Sequence, residues 1–159
     1  MGRDINVRIE CKMRGKGNNL RWYDCTPQYR NPFYGCEDEP KYETLCDFGR
    51  NYEAFSLLQG EIGDLTSIGL PEDLSEPVKK EVEECMADEE CAYGFGSFTL
   101  MELEYYCLKH PERITTDDEE NLVNAEDLLR KYINVMQLVY ETLWPLNKNC
   151  VRMVFWFDC

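Results

Sequence analysis

Residues 4–13 alternate in character. Ile5, Val7, Ile9, Cys11 and Met13 fall on one side, and Asn6, Arg8, Glu10 and Lys12 on the other. A period of two predicts a half-buried strand. Residues 15–19, Gly-Lys-Gly-Asn-Asn, read as a turn, and Leu20, Arg21, Trp22 and Tyr23 as a returning strand. Residues 26–42 hold Pro27, Pro32 and Pro40 among several tyrosines, and predict an aromatic-rich loop without regular elements.

The period then changes. Tyr52, Phe55 and Leu58 recur at helical spacing, with Gly60 and Gly63 beyond them. Ser75 is placed to cap the next helix, with Pro77 in its first turn and Val78, Val82 and Cys85 or Met86 as its apolar stripe. Residues 88–98 read as a loop. Thr99 and Glu102 form a capping box ahead of Leu103, Tyr106 and Cys107, and Pro111 stops that helix. Thr116 and Glu119 repeat the signature, and Asp117, Asp118, Glu119 and Glu120 suit a first turn. A long stripe follows: Leu122, Ala125, Leu128, Leu129, Tyr132, Val135, Met136, Val139 and Leu143, ending near Trp144-Pro145.

Residues 151–157 are apolar on both faces, apart from Arg152, which predicts a central strand paired with the first. The expected fold is therefore α+β: a small, mainly antiparallel sheet containing the N- and C-terminal strands, with about four helices packed on one face. No repeat or linker divides residues 1–159, so one domain is expected.

Composition narrows the function. The longest apolar run is residues 153–157, far below the roughly 18 residues that span a bilayer. The first residues lack the apolar segment of an export signal, and Asn6 stands where a myristoylation motif wants Ser or Thr. A cytoplasmic protein without membrane contact is expected. The nine cysteines are Cys11, Cys25, Cys36, Cys46, Cys85, Cys91, Cys107, Cys150 and Cys159; none stands in a C-x-x-C pair, and the one histidine is His110. Structural zinc usually shows paired ligands at such spacing, so free thiols and no metal or other cofactor are expected.

The formal net charge is −14, the opposite of a phosphate-binding surface, which excludes direct binding along a nucleic-acid backbone. Acidic residues serve solubility, and an acidic face can also imitate a phosphate backbone and occupy the basic groove of a nuclease. Glu37, Asp38, Glu39, Asp88, Glu89 and Glu90 are the acidic runs assigned to such a face.

Candidate chemistry is sparse. His110 follows Lys109 at a helix end, where the helix dipole explains it. No nucleophile elbow, Walker motif or dinucleotide fingerprint occurs, so no catalytic residue is assigned. Gly49-Arg50-Asn51-Tyr52 enters a helix, where backbone N–H groups and Arg50 suit an anion. Arg8 and Arg152 lie on strands expected to pair, and Trp22, Tyr23 and Phe98 offer stacking surfaces. Together Arg8, Trp22, Arg50, Asn51, Tyr52, Phe98 and Arg152 form a candidate nucleotide site; the competing reading has each arginine neutralise local acids. Asp4 and Asp158 stand at the ends of the paired strands, where an antiparallel sheet brings them together and a metal-dependent hydrolase could use them.

The opening Arg3-Asp4-Ile5, Gly49-Arg50-Asn51-Tyr52 running into Phe55 and Leu58, and Gly69-Leu70-Pro71-Glu72-Asp73 with Ser75 form an ordered set of landmarks. Ser97-Phe98-Thr99-Leu100 with Glu102-Leu103, and the closing residues 151–158, complete it. In this order the chain resembles a widespread family of small phage and prophage proteins. That family commonly carries a Gly-His-Ser-His-like loop before the Ser-aromatic-Thr-Leu stretch; here residues 91–96 read Cys-Ala-Tyr-Gly-Phe-Gly, without histidine. The resemblance implies a viral setting rather than a mechanism. The expected function is stoichiometric counter-defence in an infected bacterial host. Three routes stand open: blocking a host nuclease such as a CRISPR effector or contacting another host protein, sequestering a nucleotide signal near Arg50, and metal-dependent hydrolysis. Self-association is left open.

Overall fold

Strand β1 (Asp4–Arg14) and strand β2 (Leu20–Asp24) form the opening hairpin around a short 3-10 turn at Lys16–Asn18. The computed structural model describes residues 2–33, 35, 40–88, 92–115 and 122–158. After the hairpin come β3 (Gln28–Arg30), β4 (Tyr42–Thr44), α1 (Tyr52–Leu58), α2 (Glu76–Ala87), β5 (Ala92–Thr99) and α3 (Leu100–Lys109). The chain continues through β6 (Arg113–Thr115), β7 (Leu122–Asn124), α4 (Ala125–Leu143) and β8 (Val151–Asp158).

The main sheet has the order β2-β1-β8-β5, and every neighbouring pair is antiparallel. The two chain ends meet in its centre: Asp4 stands opposite Asp158 and Cys11 opposite Val151. Alternation along β8 then builds two cores. Met153, Phe155 and Phe157 join Val7, Ile9 and Cys11 against residues of α1, α3 and α4, including Phe55, Leu58, Leu103, Leu129, Tyr132 and Met136. Val154 and Trp156 point the other way and are covered by Val78 and Val82 of α2. Because β8 is central and covered on both sides, its residues 151–157 are all buried.

The architecture matches the expected α+β sheet, but the helices do not share one face; α2 covers the reverse side. The apolar residues of both parities in β8 need cover on both faces, which one layer of helices does not give. Three further elements differ from the pattern reading. Residues 92–99 form strand β5 rather than a loop. Gly94 and Gly96 hid it, yet they are what lets it sit against β8. A Cβ at Gly94 would meet Phe157 at 2.9 Å, and one at Gly96 would meet Phe155 at 2.6 Å. The register shifts between Tyr93 and Gly96, as a bulge requires.

Residues 28–30 and 42–44 pair as a two-stranded ribbon inside what was read as a loop. Helix α4 starts at Ala125, capped by Asn124, whose side chain accepts from the Asp127 N–H. The capping box expected at Thr116 and Glu119 lies outside the described residues. The box at Thr99 is present, with its hydroxyl accepting from the Glu102 N–H at 3.1 Å. Ser75 precedes α2 but makes no side-chain cap; its N–H instead donates to the buried Glu10 carboxylate at 2.6 Å.

Candidate functional site

The arginines singled out from the sequence are each engaged by a carboxylate of the same chain. Arg8, on the α2 side of β1, forms a bidentate pair with Glu81 of α2, its Nε 2.7 Å from one oxygen, and lies over the Trp156 ring. Arg50 pairs with Asp4, Nε to Oδ1 at 2.7 Å, and holds the Asp4 carboxyl below its ordinary range. Arg152 is buried. Its Nε donates to Glu10 at 2.7 Å, its Nη1 to Asp73 at 2.8 Å, and its Nη2 to the Asp73 carbonyl at 3.1 Å. The guanidinium carbon lies 3.8 Å from the centre of the Trp22 ring, and Trp22 Nε1 donates to Asp73 at 3.0 Å. Burial pushes the Asp73 carboxyl up, but Arg152 and the indole outweigh it and hold it below its usual value.

Arg152, Glu10, Asp73 and Trp22 therefore form one network within the chain, running from the buried Glu10 and Arg152 out to the exposed Asp73 and anchoring the approach to α2. The nucleotide site expected from the sequence does not assemble. Phe98 offers no stacking surface: it is 1% exposed and stacks on Phe155 within the core. Alternation along β5 turns it inward. Trp22 is taken by Arg152. Asn51 spends its side-chain oxygen on the Ala54 N–H, and the helix it caps has seven residues. Tyr52 is partly exposed and lies under Arg3. Arg8 and Arg50 do share one cleft, about 410 Å³, lined by residues 4–8 of β1, by Thr44 and by residues 46–50. Its two guanidiniums are already neutralised.

Asp4 and Asp158 stand opposite one another, as an antiparallel sheet requires. Each has its own partner: Arg50 for Asp4, and the Asn6 side-chain amide for Asp158 at 2.8 Å. Among the described residues no three His, Cys, Asp or Glu side chains gather with metal-binding geometry. His110 ends α3 against the Tyr106 ring, between Glu112 and Asp64. Of the acidic runs, Asp88 is exposed; Glu37, Asp38, Glu39, Glu89 and Glu90 lie outside the described residues.

A different surface stands out at the far end of the sheet. Helix α4 stops at Trp144, whose backbone is left-handed at φ 51°, ψ 55°, with its N–H closing on the Tyr140 carbonyl at 3.0 Å. Glycine is the residue that this position favours, and a bulky side chain there is strained. Yet Trp144 is 83% exposed and Leu146 70% exposed, so neither is there to fill a core. With Leu143, Pro145, Met13 and Leu20 they border a depression of about 600 Å³ whose other walls are Lys12 and Arg14.

Charge sets this end apart. Residues 11–23 carry Lys12, Arg14, Lys16 and Arg21 and no acid, and residues 142–157 carry no acid either. Among the described residues none of those four cations forms a salt bridge, whereas Arg8, Arg50 and Arg152 all do. An acidic protein thus presents one end that is basic and apolar. In the sequence Trp144-Pro145 marks a helix stop; the signal for this surface is the apolar Leu-Trp-Pro-Leu run together with residues 11–23, which carry no acid. Comparison with family models, curated proteins and solved structures returned no match.

Proposed function

We propose that the protein acts by stoichiometric binding to a partner protein, in the counter-defence setting that the phage-family resemblance implies. The observation that carries this reading is the strained, exposed Trp144 at the basic, apolar end. Backbone strain held at an exposed aromatic serves presentation of that side chain rather than stability. Aromatic and arginine side chains beside a depression are the composition of interface hot spots. The partner surface that fits is apolar at its centre and acidic around it, and the four unneutralised cations steer its approach.

The acidic remainder of the chain supports a second contact. With 31 acids against 17 lysines and arginines, the rest of the surface suits a basic groove such as that of a host nuclease. The nucleotide-sponge reading is weaker, because its arginines already have carboxylate partners. The hydrolase reading is weaker as well, because Asp4 and Asp158 are each held by a side chain of the same protein.

Affinity capture from a bacterial host lysate tests the proposal, with the reduced protein immobilised beside a Trp144→Gly, Leu146→Ser variant. Both positions are exposed and glycine suits the backbone at 144, so the variant keeps its circular dichroism spectrum. The expected result is a host protein retained by the native chain in fixed ratio and lost from the variant. Equal capture by both chains removes the Trp144 end from the account.

A further inference from the structure

Strand β2 borders the main sheet, and the hairpin register fixes which of its backbone groups are free. Residues facing each other in an antiparallel pair alternate between hydrogen-bonded and open pairs. The Gly15 N–H donates to the Asn19 carbonyl at 3.0 Å, and the Cys25 N–H to the Ile9 carbonyl at 2.8 Å. At the same phase between them, Met13 bonds with Arg21 and Cys11 with Tyr23. Arg21 and Tyr23 therefore turn their N–H and C=O groups to β1. Leu20, Trp22 and Asp24 turn theirs outward, where no further strand of the described residues lies. Leu20, Arg21, Tyr23 and Asp24 are exposed, Trp22 is half-buried, and no proline interrupts them.

The opposite edge of the sheet is covered. On β5 the Ser67 hydroxyl accepts from the Ser97 N–H at 3.0 Å and donates to the Ser97 carbonyl at 3.2 Å. The bulge between Tyr93 and Gly96 breaks the regular edge as well. Covering and bulging are ordinary protections of a sheet edge. Strand β2 has neither, since its register runs unbroken from Leu20 to Asp24. What guards it is charge. Lys12, Arg14, Lys16 and Arg21 lie on this hairpin, with no acid from residue 11 to residue 23. A second copy pairing here would bring the same four cations against these, on a body that also carries the same net charge of −14. Both charges oppose self-pairing, and the local one favours an acidic strand.

We propose that the outer edge of β2 takes an extended acidic segment of the partner protein as a fifth strand of the sheet. This rests on the reading of the basic, apolar end as the binding surface and names what binds there. Main-chain hydrogen bonds to Leu20, Trp22 and Asp24 supply affinity, and alternate side chains supply the choice of segment. Across from Arg21 the incoming strand carries an Asp or Glu, because opposite charges facing each other across two strands attract. Across from Leu20 it carries an apolar residue, at the rim of the depression that Leu20 shares with Trp144 and Leu146.

The test titrates a blocked seven-residue peptide of alternating glutamate and valine into the full, reduced, isotope-labelled chain, beside a control peptide of alternating lysine and valine. Amide exchange is followed residue by residue by nuclear magnetic resonance. In the free chain the Leu20, Trp22 and Asp24 amides are expected to exchange freely, and those of Arg21 and Tyr23 to be protected. With the glutamate peptide on about nine chains in ten, the first three are expected to slow about tenfold while Arg21 and Tyr23 keep their rates. Leu20→Pro removes one outward donor and spares the hairpin bonds; Asn19 is already extended at φ −88°, ψ 138°, as the residue before a proline must be. That variant is expected to bind the peptide more weakly. No binding, binding without slowing at Leu20, Trp22 and Asp24, or equal binding of the lysine peptide overturns the proposal. Protection of the same amides in the chain alone, growing with its concentration, overturns it in favour of a second copy. The readout is separate from capture by the Trp144→Gly, Leu146→Ser variant. A peptide that protects no β2 amide removes the fifth strand and leaves the capture result standing, and equal capture by both chains removes the Trp144 end and leaves the amide result standing.

Discussion

Glu10→Ala is expected to lower the unfolding free energy by about 3–5 kcal/mol, because it leaves Arg152 charged, buried and without its main partner. Glu10 is 0% exposed and Arg152 6%. One Glu10 oxygen takes the Arg152 Nε at 2.7 Å and the other takes the Ser75 N–H at 2.6 Å. The substitution thus orphans a guanidinium edge and a backbone donor together. Asp73 still holds Nη1, but from a side chain that is 64% exposed, where screening weakens the pair. A loss of this size is a large part of the roughly 5–15 kcal/mol that holds a domain together. Urea unfolding followed by far-ultraviolet circular dichroism measures it. Replacing both partners, Glu10→Leu with Arg152→Leu, is expected to restore most of the loss, since no buried charge is then left unpaired. A single-variant loss below about 1 kcal/mol, the range of an exposed pair, would show that the network is solvated.

Trp156→Ala is expected to cost a similar amount, about 3–5 kcal/mol, and to act selectively on α2. Trp156 is 1% exposed and belongs to the smaller core, with Val78, Val82 and Val154. Phe95 stacks on it at 6.0 Å and Arg8 covers it at 5.7 Å. Two valines give α2 little else to bury, so removing the indole opens a cavity beneath the whole helix. Amide exchange is expected to accelerate across residues 76–87 while α3 and α4 keep their protection. Uniform acceleration across all helices would mean that the two faces of the sheet unfold as one unit.

Both effects arise on the face of the sheet that sequence reading left bare. Strands β1 and β8 were legible because strict alternation at one end and a two-faced apolar run at the other leave few other structures open. The stripe of α4 and the Thr99–Glu102 box were legible for the same local reason. Strand β5 was not, because Gly94 and Gly96 look like a loop until Phe155 and Phe157 are in place across from them. The arginines were legible in part: neutralisation by acids of the same chain was one of the two readings, but the partners were not visible, because Arg152 finds Glu10 142 residues away and Asp73 79 residues away. Pairing at that separation is set by the sheet order and the path into α2, which no local pattern encodes. Trp144 was read as a helix stop, and so it is; that the stop puts a tryptophan into solvent in a left-handed backbone is a tertiary fact.

The central proposal is that the chain binds a protein and neither holds nor converts a nucleotide. Native mass spectrometry tests it most directly, with the reduced protein mixed first with a pool of linear and cyclic nucleotides and then with the partner recovered by capture. The account predicts no nucleotide adduct and no converted nucleotide, then a complex of fixed stoichiometry that weakens as salt rises and does not form with Trp144→Gly, Leu146→Ser. An intact nucleotide retained by the chain, or a product released from it, would contradict the account and return attention to the cleft between Arg8 and Arg50.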